Sequence, residues 1–158
     1  MYFRDLQPYR YGLPVELPAV VTVGWLSSSN AFPIGEVSQD VLDGIKHLLS
    51  ANRINKMRGY HLCEFCPHPE PITVELLEGP LILGSAEIWI ASNDISRIYA
   101  APDLIYHYVS AHHYLPPGEF LAAVAGAKSC GGWNPSKERE KQIQAAFASS
   151  GGVSSNQT

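Results

Sequence analysis

Between positions 61 and 68 the chain reads His61-Leu62-Cys63-Glu64-Phe65-Cys66-Pro67-His68, which packs thiols and imidazoles into eight residues. A Cys-x-x-Cys turn lets two thiolates reach one ion at the ~2.3 Å bond length zinc prefers, and a soft thiolate pair selects zinc over magnesium or calcium. The pair needs two further ligands, and a segment downstream carries His107, His112 and His113. The intervals His107-x4-His112 and His107-x5-His113 match the range of about three to five intervening residues seen between zinc-ligating histidines. Positions five apart on an ideal helix are rotated by about 140°, so the helix must loosen or end near His112 for both rings to converge. The stretch from Cys66 to His107 is about 40 residues, against about 12–15 in small fingers, so the site has to be assembled by a whole domain.

Other chemistries compete for the same residues. A redox Cys-x-x-Cys usually opens a helix whose dipole lowers the thiol pKa. Here Pro67-His68-Pro69-Glu70-Pro71 follows and no helix can start. Any one of the three histidines, taken alone, is more simply a half-buried residue or a cation at a helix C-terminus; the metal argument rests on their coincidence with the thiols. His61 is a reserve ligand or a partner to one, and His47 and His68 have no comparable support. The zinc deaminase pattern fails, because Ser85-Ala86-Glu87 lacks the ligand and follows the cysteines. Neither a His-Glu-x-x-His helix nor a Gly-x-Ser-x-Gly elbow occurs. Glu64 and Glu87 could serve as a general base beside metal-bound water, set against a solvated fate for Glu64 and a structural hydrogen bond for Glu87.

The elements that position these residues follow from periodicity. Residues 1–18 suit an irregular arm, and the β-branched run 19–26 reads as a buried strand. Val41, Leu42, Ile45, Leu48 and Leu49 repeat at helical spacing, which predicts a helix over about 38–51 with Ser38 as its cap. Lys46, Arg53, Lys56 and Arg58 near its end are expected to be solvated. Short apolar runs at 57–61, 72–76, 81–83, 87–91 and 97–100 predict a mostly antiparallel sheet. A second helix is expected from Pro102 to about His113. Pro116-Pro117 interrupts it, and a third ends near Gly126. A charged helix at about 135–148, anchored by Ile143 and Phe147, precedes a Gly/Ser-rich tail, 149–158, expected to be disordered. The expectation is thus a single α+β domain over 1–148, its largely antiparallel central sheet covered by helices and a zinc site tying the Cys-x-x-Cys loop to the second helix.

A chain of 158 residues with 46% hydrophobic content suits one core, and a net charge of -4 without a basic run gives no sign of a nucleic-acid or anionic-membrane partner. The N-terminus lacks a signal-peptide pattern and no apolar run approaches the ~18 residues of a membrane span, so a cytoplasmic location is the default. Cys130, between Ser129 and Gly131-Gly132, reads as a free thiol.

The segments Val23-Gly24-Trp25-Leu26, Arg58-Gly59-Tyr60-His61-x-Cys63-x-x-Cys66, Leu83-Gly84-Ser85-Ala86-Glu87-Ile88-Trp89 and Tyr99-Ala100-Ala101-Pro102-x-Leu104-Ile105-x-His107-Tyr108-Val109-x-x-His112 resemble a family of small, uncharacterised bacterial proteins. Tyr114-x-Pro116-Pro117-x-x-Phe120 continues the likeness, which covers roughly residues 1–124. The resemblance implies a bacterial cytosolic protein, favours His107 and His112 over His113, and brings no activity; Cys130 and Trp133 lie beyond it. The expected ligands are therefore Cys63, Cys66, His107 and His112, with zinc as cofactor. The expected role is a zinc-stabilised binding or interaction module for an unknown protein or small molecule. The rivals are a zinc hydrolase with an open metal position and a Cys-x-x-Cys redox protein.

Overall fold

The computed structural model describes residues 1–127 and 132–151. Eleven elements follow one another along the chain: β1 (Pro8–Tyr9), β2 (Leu17–Thr22), α1 (Gln39–Ala51), β3 (Arg53–Ile54), β4 (Thr73–Leu76), β5 (Gly79–Ile82), β6 (Glu87–Ala91), β7 (Ile98–Pro102), α2 (Ile105–His112), α3 (Gly118–Gly126) and α4 (Pro135–Ser150). Five strands form one sheet in the order β1-β2-β7-β6-β3, and β4 and β5 form a separate hairpin. The fold is α+β and its pairings are antiparallel except β2 with β7, which run parallel with Val20 opposite Ile98. A parallel pair needs a long crossover, and the intervening chain with α1 supplies it.

Strand alternation divides the core in two. Along β6 and β7, Ile88, Ile90, Tyr99 and Ala101 face one side, where they pack with Ile45, Leu48 and Leu49 of α1, Ile105, Tyr108 and Val109 of α2, and Phe120 and Val124 of α3. Trp89, Ile98 and Ala100 face the other side with Tyr9, Leu17, Val20 and Trp25. There the N-terminal arm closes the sheet through Phe3, Tyr11 and Leu13, and the C-terminal segment through Trp133 and, from α4, Ile143 and Ala146. Every residue of β6 is buried, as expected of a strand covered on both faces.

Several boundaries depart from the sequence reading. The first strand ends at Thr22, because Gly24 turns out of the sheet at φ +75° and donates its N–H to Asp5 Oδ1 at 2.9 Å. Residues 57–61 form no strand. Asn55 sits in the left-handed region, and only Met57 N–H to Ser85 O (2.6 Å) and His61 N–H to Gly84 O (2.7 Å) hold the segment to the sheet side. The sheet edge beside β6 is taken by β3, two residues that pair with it. The hairpin β4–β5 stands apart from the central sheet. Helix α2 starts at Ile105 because Pro102 still pairs with Glu87 in the ladder. α4 runs on through Ser149 and Ser150, and Phe147 is left exposed at 47% while Ile143 and Ala146 make the packing. Cys130 and residues 152–158 lie outside the described residues.

Ser38 caps α1 as expected, accepting from Val41 N–H, and Asn134 accepts from Lys137 N–H at the start of α4 by the same chemistry. Arg53 departs from the solvated position its charge cluster suggests. Its side chain is instead only 18% exposed, with Nε 3.1 Å from Asp103 Oδ2 and Nη2 donating to Ser85 Oγ at 3.1 Å.

Candidate metal centre

The site is built by two segments that the sheet brings face to face. The first is the 61–66 loop, which is fastened at Gly84. That residue has φ +103°, and a Cβ there would run into the His61 carbonyl, so the close backbone pairing of His61 with Gly84 depends on glycine. Gly84 in turn donates its N–H to Asp103 Oδ1 at 2.6 Å, immediately before α2. Asp103 thus connects the loop's anchor, the Arg53 guanidinium and the start of the histidine-bearing helix. Glu64 Oε2 accepts from Ser28 N–H at 2.7 Å and holds the loop's outer edge.

The second segment is α2, whose last residue is His112. His113 caps it at φ 56°, with its N–H bonded to Tyr108 O. The termination lets His107 and His112 converge: their ring centroids lie 4.9 Å apart, and their Nε2 atoms 3.1 Å apart.

The structure brings Cys63, Cys66, His107 and His112 together, with one ligand atom of each within 4.8 Å of all the others. Cys63 Sγ lies 3.2 Å from His112 Nε2, and Cys66 Sγ lies 3.3 Å from His107 Nε2 and 3.5 Å from His112 Nε2. With bonds of about 2.3 Å to sulfur and 2.0–2.1 Å to nitrogen, a tetrahedral zinc would separate S from N by about 3.6 Å and two N atoms by about 3.3 Å. The observed edges are close to these, so the donor set fits a single ion. Hydrogen bonding accounts for the cluster poorly. His112 Nε2 has three neighbours at 3.1–3.5 Å, whereas an imidazole nitrogen offers one proton or one lone pair.

Protonation favours ligation once the thiol protons leave. Burial, then the neighbouring His112, lowers the His107 pKa. Burial, then His113, lowers that of His112. Both rings are therefore neutral near pH 7 and present lone pairs. Burial, followed by the neighbouring Cys63 thiol, raises the Cys66 pKa, so a metal must displace its proton. Around the cluster, Phe65 N–H points at Cys63 Sγ (3.4 Å), and the Phe65 ring packs on His112, Tyr108 and Phe32 at centroid distances of 5.5, 5.9 and 5.2 Å. Cys63 is buried and the other three are half-buried.

The other candidates fall elsewhere. His113 Nδ1 lies 3.2 Å from Glu36 at the surface. His61 is exposed beside the loop, and His47 and His68 are exposed. Glu87 is buried on the α4 side of the sheet, accepting from Tyr9 Oη at 2.7 Å and Trp89 Nε1 at 3.1 Å. Burial raises its pKa, against the pull of these donors. The sequence reading missed Asp103 and Arg53 as positioning residues. The one available signal was an acid directly before a helix that carries candidate ligands.

Among the described residues no helix is long and apolar enough to cross a membrane. No curated protein and no solved structure matches the chain. A family model described as Domain of unknown function (DUF7919) matches residues 1–125, which include both ligand-bearing segments and stop short of α4, and the chain belongs to that family.

Proposed function

We propose that this domain is a zinc-stabilised binding module in which Cys63, Cys66, His107 and His112 hold one ion in a closed, four-ligand site. The observation that carries this reading is the convergence of four ligand atoms, contributed by segments about 40 residues apart, within 4.8 Å of one another. Two thiolates and two imidazoles suit zinc in preference to hard cations. Four protein ligands leave no position for a reactive water, so the ion's task is structural.

The surroundings favour that task. Between Asn55 and Ile72, Cys63 is the one buried residue, so this stretch has almost no apolar core of its own. A cross-link to α2 substitutes for the missing core. Against the hydrolase, both candidate bases are engaged: Glu64 accepts from Ser28 N–H, and Glu87 from Tyr9 and Trp89. Against redox chemistry, no helix follows Cys63 whose N-terminus would activate a thiolate.

The test is metal analysis of protein purified without chelator, joined to X-ray absorption at the zinc edge. About one zinc per chain with two sulfur and two nitrogen neighbours is expected. A three-protein-ligand site with a bound oxygen would move the assignment to a hydrolase, and no metal after reconstitution in reductant would end it.

A further inference from the structure

Beside the metal loop, on the side of its His61–Glu64 strap, a cleft opens between the N-terminal arm, the sheet edge and the start of α2, and the space it encloses, about 80 Å³, admits only a small ligand. Tyr11 and Trp25 make an aromatic corner, with ring centroids 4.9 Å apart and planes inclined at 47°. Tyr108 lines the cleft from α2, and Met57 and Leu62, both exposed, stand along it.

The polar lining is predominantly acidic. Glu64, Glu87 and Asp103 contribute carboxylates, Met1 with its α-ammonium and His61 also line the cleft, and no lysine or arginine does. Arg53 stands behind Asp103, and Arg139 of α4 approaches Glu87 and Tyr9, but neither lines the cleft. Ser85, only 3% exposed, also lines it. Its hydroxyl accepts from Arg53 Nη2, and because a guanidinium only donates, the Ser85 proton remains to be given to an acceptor. A concave site with aromatic faces, carboxylates and one buried hydroxyl donor matches a ligand that is cationic at one end and carries an acceptor oxygen at the other.

We propose that this cleft binds a small organic ammonium compound bearing a hydroxyl or carbonyl oxygen, the cation seated against Tyr11 and Trp25 in the field of Glu64 and Glu87, and the oxygen on Ser85. The proposal deepens the binding-module reading and rests on the metal centre only in that the same loop forms one wall.

Isothermal titration calorimetry with choline and with 3,3-dimethylbutan-1-ol, its uncharged isostere, tests it on the full chain as purified, with zinc measured on the same samples. Choline is expected to bind one per chain and at least about tenfold tighter than the alcohol, since a desolvated cation over aromatic faces contributes on that scale. Tyr11→Ala, at a half-buried position, and Glu87→Gln should each weaken choline several-fold with zinc content unchanged. Equal affinity for choline and the alcohol overturns the proposal, as does parental affinity in both variants. Zinc-loaded protein that binds neither choline nor n-butylammonium overturns the cleft reading alone. Choline binding by protein that holds no metal supports the cleft and sinks only the metal reading.

Discussion

If an ion ties Cys63 and Cys66 to His107 and His112 as proposed, removing it should destabilise the domain by an amount that can be bounded from the chain. The ligand pairs enclose loops of 41 residues (Cys66 to His107) and 49 residues (Cys63 to His112). Treated as a covalent cross-link, closure of such a loop restricts the unfolded chain by about 4 kcal/mol in the chain-entropy account. An ion that leaves on unfolding contributes its own binding free energy instead, about 10–16 kcal/mol in small zinc-binding peptides, so about 4 kcal/mol is a floor. At about 2–4 °C per kcal/mol for a domain of this size, chelation in reductant should lower Tm by at least about 8–16 °C. Hydrogen exchange should localise the loss. Amides of 61–72 and the last turn of α2 should open first, while β6, buried along its whole length, retains protection. An unchanged Tm after proven zinc removal would refute the structural role, and protection lost first in β6 would refute the division between loop and sheet.

Three further outcomes are expected. Cys63→Ala, Cys66→Ala, His107→Ala and His112→Ala should each abolish or strongly reduce bound zinc, whereas His47→Ala and His68→Ala, at exposed positions, should retain it, as read by zinc per chain. Gly84→Ala should cost about 2–4 kcal/mol in chemical denaturation, because it places a methyl against the His61 carbonyl at a φ of +103° and so displaces the ligand loop. Between about pH 4.5 and the folded value that burial raises above it, Glu87 holds a proton in the folded state that the unfolded chain has lost. Its contribution to stability is therefore most favourable at acid pH, falls as pH rises from about 4.5 through the folded value, and then levels. Relative to Glu87→Gln, the parent should lose stability over that window in denaturant titrations at a series of pH values, and parallel pH profiles would contradict the assignment.

Much of this arrangement is legible from residue order. The β-branched run near Val20, the Ser38 and Asn134 caps, the helical face of Ile45, Leu48 and Leu49, and the Pro116-Pro117 break are local signals that the fold obeys. Spacing narrows the candidates to Cys63, Cys66, His107, His112 and His113, the family resemblance favours His112 over His113, and the fold gathers Cys63, Cys66, His107 and His112. What was not legible is long-range. Sequence periodicity cannot tell that Met57 to His61 meets only two backbone partners, or that Arg53 finds Asp103 across 50 positions. Nor does it show that β4–β5 leaves the central sheet. Glu87 reads as a base candidate because an acid at a strand start has no local mark of its cross-sheet partner Tyr9, 78 positions away.

The division of labour within the fold follows from where apolar surface is available. The sheet and α1 to α3 share a continuous core that orders them by burial. The chain from Asn55 to Ile72 leaves Met57, Tyr60 and Leu62 exposed and is punctuated by three prolines, so neither burial nor regular hydrogen bonding orders it. Its fixed points are the Met57 and His61 backbone bonds to Ser85 and Gly84, the Glu64 carboxylate on Ser28, the Phe65 ring on Tyr108 and His112, and the two thiols. On the proposed reading the ion supplies the strongest of these. A polar, open loop can then form one wall of a cleft without collapsing into it, because a metal cross-link fixes position while adding little bulk. A hydrophobic anchor of equal strength would have to fill the space beside Tyr108 that the cleft occupies.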